Sequence, residues 1–157
     1  MTIKARMARG SKFGVDSVDG SAYKYVGDLT TVGVPTPTSD EIDVSTLDSP
    51  NTAKENMPGA VDYGSFDING NWVKSDVGQD AVYSYFLSQE TIKFVIEAPL
   101  EAGESVAAKT TGTGYFTSCV RMGEKTEGSL IPFSATLRVT GRPVYVPAVD
   151  ESDESVE

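Results

Sequence analysis

Apolar and polar residues alternate with a period of two along most of this chain, and that period predicts strands. Phe13-Gly14-Val15-Asp16 begins the first strand, and Asp19-Gly20 marks a hairpin turn toward Tyr23–Val26. Val26–Val34 continues as extended chain until Pro35 and Pro37 bar a central strand. In Asp40–Leu47, Ile42 and Val44 share a face expected to meet the core, and Asp43 and Ser45 share the other. Phe66, Ile68, Gly70 and Trp72 alternate with Asp67, Asn69 and Asn71, which predicts one strand reaching Val73. Ile92, Phe94 and Ile96 give another strand, and Pro99 to Thr113 reads as a polar connection. Gly114–Met122 is expected to turn Phe116, Val120 and Met122 one way and Tyr115, Thr117 and Cys119 the other. Phe133, Ala135, Leu137 and Val139 mark the closing strand of Pro132–Val146, bent at Gly141-Arg142-Pro143. One segment changes period: Val77, Ala81 and Tyr85 fall at i, i+4 and i+8 beside Val82 and Phe86. With Ser75-Asp76 as its cap, it predicts a helix over about 76–88.

The pattern lapses between Leu47 and Asp62, where Asp48-Ser49-Pro50-Asn51 turn chemistry, mixed charge and a Met57-Pro58-Gly59 break follow one another. Paired strands need a loop of only about two to five residues. A loop of about 47–62 closes at small extra entropy but is long enough to dock on another molecule. Leu47, Asp48, Asn51, Lys54, Glu55, Met57 and Pro58 are therefore candidate inter-subunit contacts. The whole reads as mainly β: a β-sandwich or half-barrel of two antiparallel sheets with one flanking α-helix. Three parts are expected: a flexible N-terminal arm over 1–12, a β domain over 13–147, and a disordered acidic tail over 148–157.

Composition narrows the chemistry. The formal net charge is −10, which opposes phosphate binding. The arm holds Lys4, Arg6, Arg9 and Lys12 without an acid, and the tail holds five acids without a base. There is no histidine and one cysteine, Cys119, so neither a Ser–His–Asp nor a Cys–His pair can form. Cys119 reads as a small core or interface residue. Asp40, Glu41 and Asp43 alternate as a solvated face rather than as a calcium site or glycosidase pair. Gly112-Thr113-Gly114 has no following helix and reads as a turn. No apolar run approaches a membrane span, and the basic N-terminus lacks the apolar core of a secretory signal. The expectation is a soluble, cytoplasm-made protein that is not an enzyme and holds no cofactor or metal.

Taken in order, VGDLTTVGVPTPTSDEIDVSTLDSP, KENMP, DYGSFDINGNW, DVGQDAVYSYF and FSATLRVTGRP resemble the major tail tube proteins of long-tailed bacteriophages, or of related gene-transfer-agent tails. The resemblance spans about Gly27 to Val146. It implies a subunit that forms stacked six-membered rings of a virion tail tube, the conduit for DNA ejection, with DNA passing unbound. It also implies contact with tape-measure and tail terminator or tip proteins, and no catalytic residue. A lumen poor in cations suits DNA passage, and Asp43 and Asp67, opposite the expected core face, are the lumen-facing candidates. Two alternatives stay open. One is a β-sandwich module binding carbohydrate or a host surface, with Trp72, Tyr83 or Tyr115 as platforms. The other is a secretion-tube ring protein.

Overall fold

Three phenylalanines show how the chain closes on itself. In the computed structural model, which describes residues 9–48 and 53–150, the Phe13 and Phe66 ring centroids lie 6.1 Å apart. Phe94 is 6.4 Å from the first and 5.3 Å from the second. The strands are β1 (Lys12–Ser17), β2 (Lys24–Tyr25), β3 (Leu29–Val32), β4 (Thr38–Asp43), β5 (Asn56–Asp62), β6 (Ser65–Asn71), β7 (Ile92–Glu97), β8 (Glu104–Val106), β9 (Lys109–Val120), β10 (Pro132–Val146) and β11 (Val149–Asp150). Seven form one antiparallel sheet in the order β2-β1-β7-β9-β10-β6-β3. Phe13 on β1 and Phe66 on β6 are four strands apart in that order, about 19 Å in a flat sheet. Their contact requires the sheet to curl into a half-barrel.

The concave face carries the core: Val15, Ile68, Ile92, Phe116, Phe133 and Leu137 are buried with the three phenylalanines. The expected alternation on β6, β7 and β10 holds there. A helix, α1 (Val77–Ser88), packs on that core through Val82, with Tyr85 and Phe86 beside it. Asp76 caps it: one carboxylate oxygen accepts from Gln79 N–H at 3.0 Å and from Gly27 N–H at 3.1 Å, tying the helix start to the β2–β3 connection. Gly78 lets that connection approach, since a Cβ there would lie 2.2 Å from the Tyr25 carbonyl oxygen.

The fold class matches the expectation, and several details differ. The helix buries Gly78, Gln79 and Val82, while Val77 is exposed; the stripe is rotated because the Asp76 cap and the close Gly78 contact set its phase. A bulge opposite Thr136/Leu137 makes Thr117 an extra residue on β9. Phe116 and Cys119 consequently both meet the core, while Val120 and Met122 are exposed. The polar stretch after Pro99 is no plain connection: it contains β8, and β9 already starts at Lys109. The expected tail opens with β11, where Val149 pairs with Val106 and accepts from the Ser105 hydroxyl. Residues 151–157 and 1–8 lie outside the described residues.

Candidate functional site

The expected loop over 47–62 is half strand. β4 and β5 form a separate two-stranded antiparallel sheet, with Glu41 opposite Pro58, Ile42 opposite Met57 and Asp43 opposite Asn56. Strand β4 begins earlier than the expected Asp40 and stops at Asp43, with a register shift between Ser39 and Glu41. Pro58 is accepted because β5 has a free edge that needs no N–H. Alternation puts Ile42, Val44 and Met57 on one face and Glu41, Asp43 and Asn56 on the other, and the extra residue on β5 between Pro58 and Val61 turns Val61 to the second face, opposite Ser39. The expectation that Ile42 and Val44 meet the core fails. Ile42 is 47% exposed, Met57 48% and Val61 50%. The hairpin projects from the half-barrel, and among the described residues nothing buries its apolar face.

Its root is held by charge. Arg138 on β10 donates to both carboxylate oxygens of Asp62 at 2.9 Å, and Gly64 N–H donates to one of them at 2.9 Å. The Gly64 amide first, then Arg138, holds the Asp62 carboxyl below its ordinary range. Thr36 N–H bonds the Tyr63 carbonyl at 3.2 Å and closes the base. Toward the tip, Val44 N–H reaches the Glu55 carbonyl at 2.8 Å and Glu55 N–H reaches the Ser45 hydroxyl at 2.8 Å. Ser45 N–H on the Asp43 carboxylate lowers that group's pKa, and Lys54 lies 4.0 Å from it. Leu47 is fully exposed and Asp48 exposed toward the tip, while Asn51 lies outside the described residues. Six of the seven contact candidates thus fall on one projecting element.

The two lumen candidates are not brought together. Asp43 belongs to the hairpin. Asp67 belongs to the convex face of the large sheet, where it accepts a 2.6 Å bond from Thr136. That face is polar across three strands: Asn69 and Asp67 on β6, Thr136 and Thr140 on β10, and Thr113 on β9, whose hydroxyl bonds the Thr140 carbonyl at 2.8 Å. The aromatic platforms do not form a common site. Trp72 packs against the core, Tyr83 lies under the Arg121 guanidinium at 5.2 Å, and Tyr115 pairs with Arg138 across β9 and β10. Burial pushes the Cys119 thiol up to about 11, against a smaller opposing effect of Arg121. Among the described residues no group of three or more His, Cys, Asp or Glu is placed to hold a metal ion, and no helix is long and apolar enough to cross a membrane.

Sequence reading missed two residues. Arg138 falls between the apolar Leu137 and Val139 on the closing strand without any signal of a role, yet it anchors the hairpin. Gln79, 1% exposed, accepts from Val73 N–H at 3.0 Å and donates to the Asn71 and Gly27 carbonyls at 2.8 and 3.1 Å. Its only signal was a polar amide one position from the apolar stripe.

No protein-family model matches the sequence, and no curated protein does. Solved structures do. A chain of the tail of an empty gene transfer agent particle, computed with helical refinement and C6 symmetry, is 15% identical and superposes with a TM-score of 0.69 over 90% of this chain and 99% of its own. The SPP1 tail tube is 20% identical, with a TM-score of 0.67 over 95% of this chain and 83% of that one. A chain of the anti-feeding prophage baseplate, 6-fold symmetrised, is 13% identical, with a TM-score of 0.70 over 94% and 98%. These likenesses establish the fold, which is that of tail-tube proteins in phage, gene-transfer-agent and related contractile tails.

Proposed function

We propose that this chain is the structural subunit of a virion tail tube: copies close into rings, rings stack, and the channel passes DNA outward. The observation that carries the reading is the projecting β4–β5 hairpin. A lone two-stranded hairpin is marginal in water, and one that shows Ile42, Val44 and Met57 to solvent on one face has an apolar surface that marks an interface. The fold agrees, because its structural neighbours sit in assembled tails, with six-fold symmetry stated for two of them. Six copies per ring is the expected stoichiometry. A heterologous contact repeated around an axis closes a ring, and repeated along it builds a filament. The convex polar face bearing Asp67 is proposed as the channel wall: Thr113 bonds the Thr140 carbonyl and Thr136 bonds Asp67 within it, and the carboxylate repels phosphate. Asp43 lines the channel only if the hairpin turns inward. The role is structural, without catalysis, in the tail of a phage or gene-transfer-agent particle, and tape-measure and tail terminator or tip proteins are the expected further partners.

The test is direct. Purified protein is concentrated and viewed by electron microscopy, beside a variant in which Ser39–Val61 is replaced by Asn-Gly. Thr38 and Asp62 face each other, so a two-residue turn fits between them and the Asp62–Arg138 bond is kept. Hollow tubes from the wild type and folded monomers from the variant are expected. Tubes of normal length from the variant would refute the hairpin's role, and wild-type protein that stays monomeric at every concentration would refute the tube.

A further inference from the structure

The convex face proposed as the channel wall is not poor in cations. Alternation along the strands puts Lys12 of β1, Lys93 of β7, Lys109 of β9 and Arg138 of β10 on that face, because Phe13, Phe94, Phe116 and Leu137 occupy the other. Each of the four faces a carboxylate. Arg138 donates to both oxygens of Asp62 at 2.9 Å. Lys93 lies 3.9 Å from the buried Asp16 and also donates to the Gly20 carbonyl. Glu97 stands directly opposite Lys12 on one neighbouring strand and opposite Lys109 on the other. Two aromatic rings add to this: the Lys12 ammonium lies 5.7 Å from the centre of Tyr25, and that of Lys93 5.3 Å from the centre of Tyr23. The Tyr25 hydroxyl in turn donates to Glu97 at 3.2 Å. With Asp67, the carboxylates Asp16, Asp62 and Glu97 match the four positive charges.

A cation grips a duplex by taking the place of condensed counterions along the phosphates. A lysine or arginine already set against a carboxylate offers less, because the phosphate must displace that carboxylate or approach a pair without net charge. We infer that the wall sheds DNA through this pairing of its cations, with Glu97 and Asp62 as the residues that keep it from holding a phosphate backbone. The inference rests on the tube reading and on the convex face as its wall, and adds the side chains that make the wall release DNA. Asp62 then has two tasks, since the carboxylate that closes the hairpin root also occupies Arg138. In a ring the effect multiplies, because a carboxylate lost from one copy is lost from every copy at the same level of the channel. The helix side supplies a comparison: there Arg121 pairs with Asp80 at 2.9 Å and lies over Tyr83, away from the wall.

Tubes assembled around a labelled short duplex, washed and treated with nuclease report the DNA held inside, since only enclosed DNA is protected. Glu97→Gln and, separately, Asp62→Asn should raise the protected DNA at about 50 mM salt at least about tenfold over wild type, with the gain gone by about 200 mM. Adding Lys12→Gln and Lys109→Gln to Glu97→Gln removes the freed cations and should return protection to within about threefold of wild type. Asp80→Asn, which frees Arg121 on the helix side, should change nothing. Electron microscopy checks that each variant forms tubes of normal width; if Asp62→Asn loosens the hairpin and fails to assemble, the Glu97 variants carry the test. Extra protection from Asp67→Lys but not from Glu97→Gln or Asp62→Asn keeps the wall and overturns the inference, as does protection that persists in the triple variant. Extra protection from Asp80→Asn alone puts the helix side on the channel and overturns the wall as well. No gain from any of the wall substitutions does the same, and wild-type protein that forms no tube defeats the tube reading itself.

Discussion

Removing the Gln79 amide should unlock the helix from the sheet. The side chain is buried and satisfies three backbone groups from two segments: Asn71 C=O and Val73 N–H at the end of β6, and Gly27 C=O in the β2–β3 connection. In Gln79→Ala each loses its partner. A buried polar group left unpaired costs about 1–3 kcal/mol. Taking the low end for each, since some water enters the hole, gives roughly 3 kcal/mol in all. For a chain of this size that corresponds to a fall in melting temperature of about 6–12 °C. Guanidinium unfolding of the unassembled subunit, followed by circular dichroism, measures it. Gln79→Glu sharpens the test because it keeps the shape and loses the donor. Its carboxylate would face two carbonyl oxygens, so its folded-state pKa should be raised. Between the unfolded and folded values the native state then binds more protons, and stability falls as pH rises. The variant should therefore be closer to wild type near pH 4 than near pH 7. A loss under about 1 kcal/mol for Gln79→Ala, or an identical deficit for Gln79→Glu at both pH values, would refute the clamp.

Other outcomes follow from the same geometry. Asp67→Lys should leave tubes intact but make them retain DNA, with retention falling steeply as salt rises; if only Asp43→Lys produces retention, the channel wall is the hairpin and not the convex face. Cys119, with its pKa pushed up to about 11, should react with iodoacetamide at pH 8 roughly 200-fold more slowly than an ordinary thiol, since the thiolate fraction is that much smaller, and should react freely in denaturant. Truncation after Asp150 should leave the melting temperature within about 2 °C, whereas truncation after Pro147 removes the β11–β8 pairing and should increase proteolysis near Glu104.

Much of the half-barrel was legible in the chain, because a strand with one buried face writes its own period. Ile92-Phe94-Ile96 and Phe133-Ala135-Leu137-Val139 kept their phase from prediction to structure. Asp76 was readable as a cap, since its carboxylate bonds an amide three residues away. The hairpin shows where that legibility stops. Ile42 and Val44 alternate as core residues do, yet both are exposed and no second layer of the described residues lies over them. Periodicity records which side of a strand is apolar, not whether the covering surface belongs to the same molecule. The bulge at Thr117 reversed the phase of everything after it, and its cause is the register against β10, which no local pattern carries. Gln79 and Arg138 owe their roles to partners 52 and 76 positions away in sequence. Local backbone preference and side-chain alternation could be read from the sequence alone. The curl that brings Phe13 onto Phe66 and the anchoring of the hairpin by Arg138 arose only when distant strands met, because each depends on pairings with no local signature.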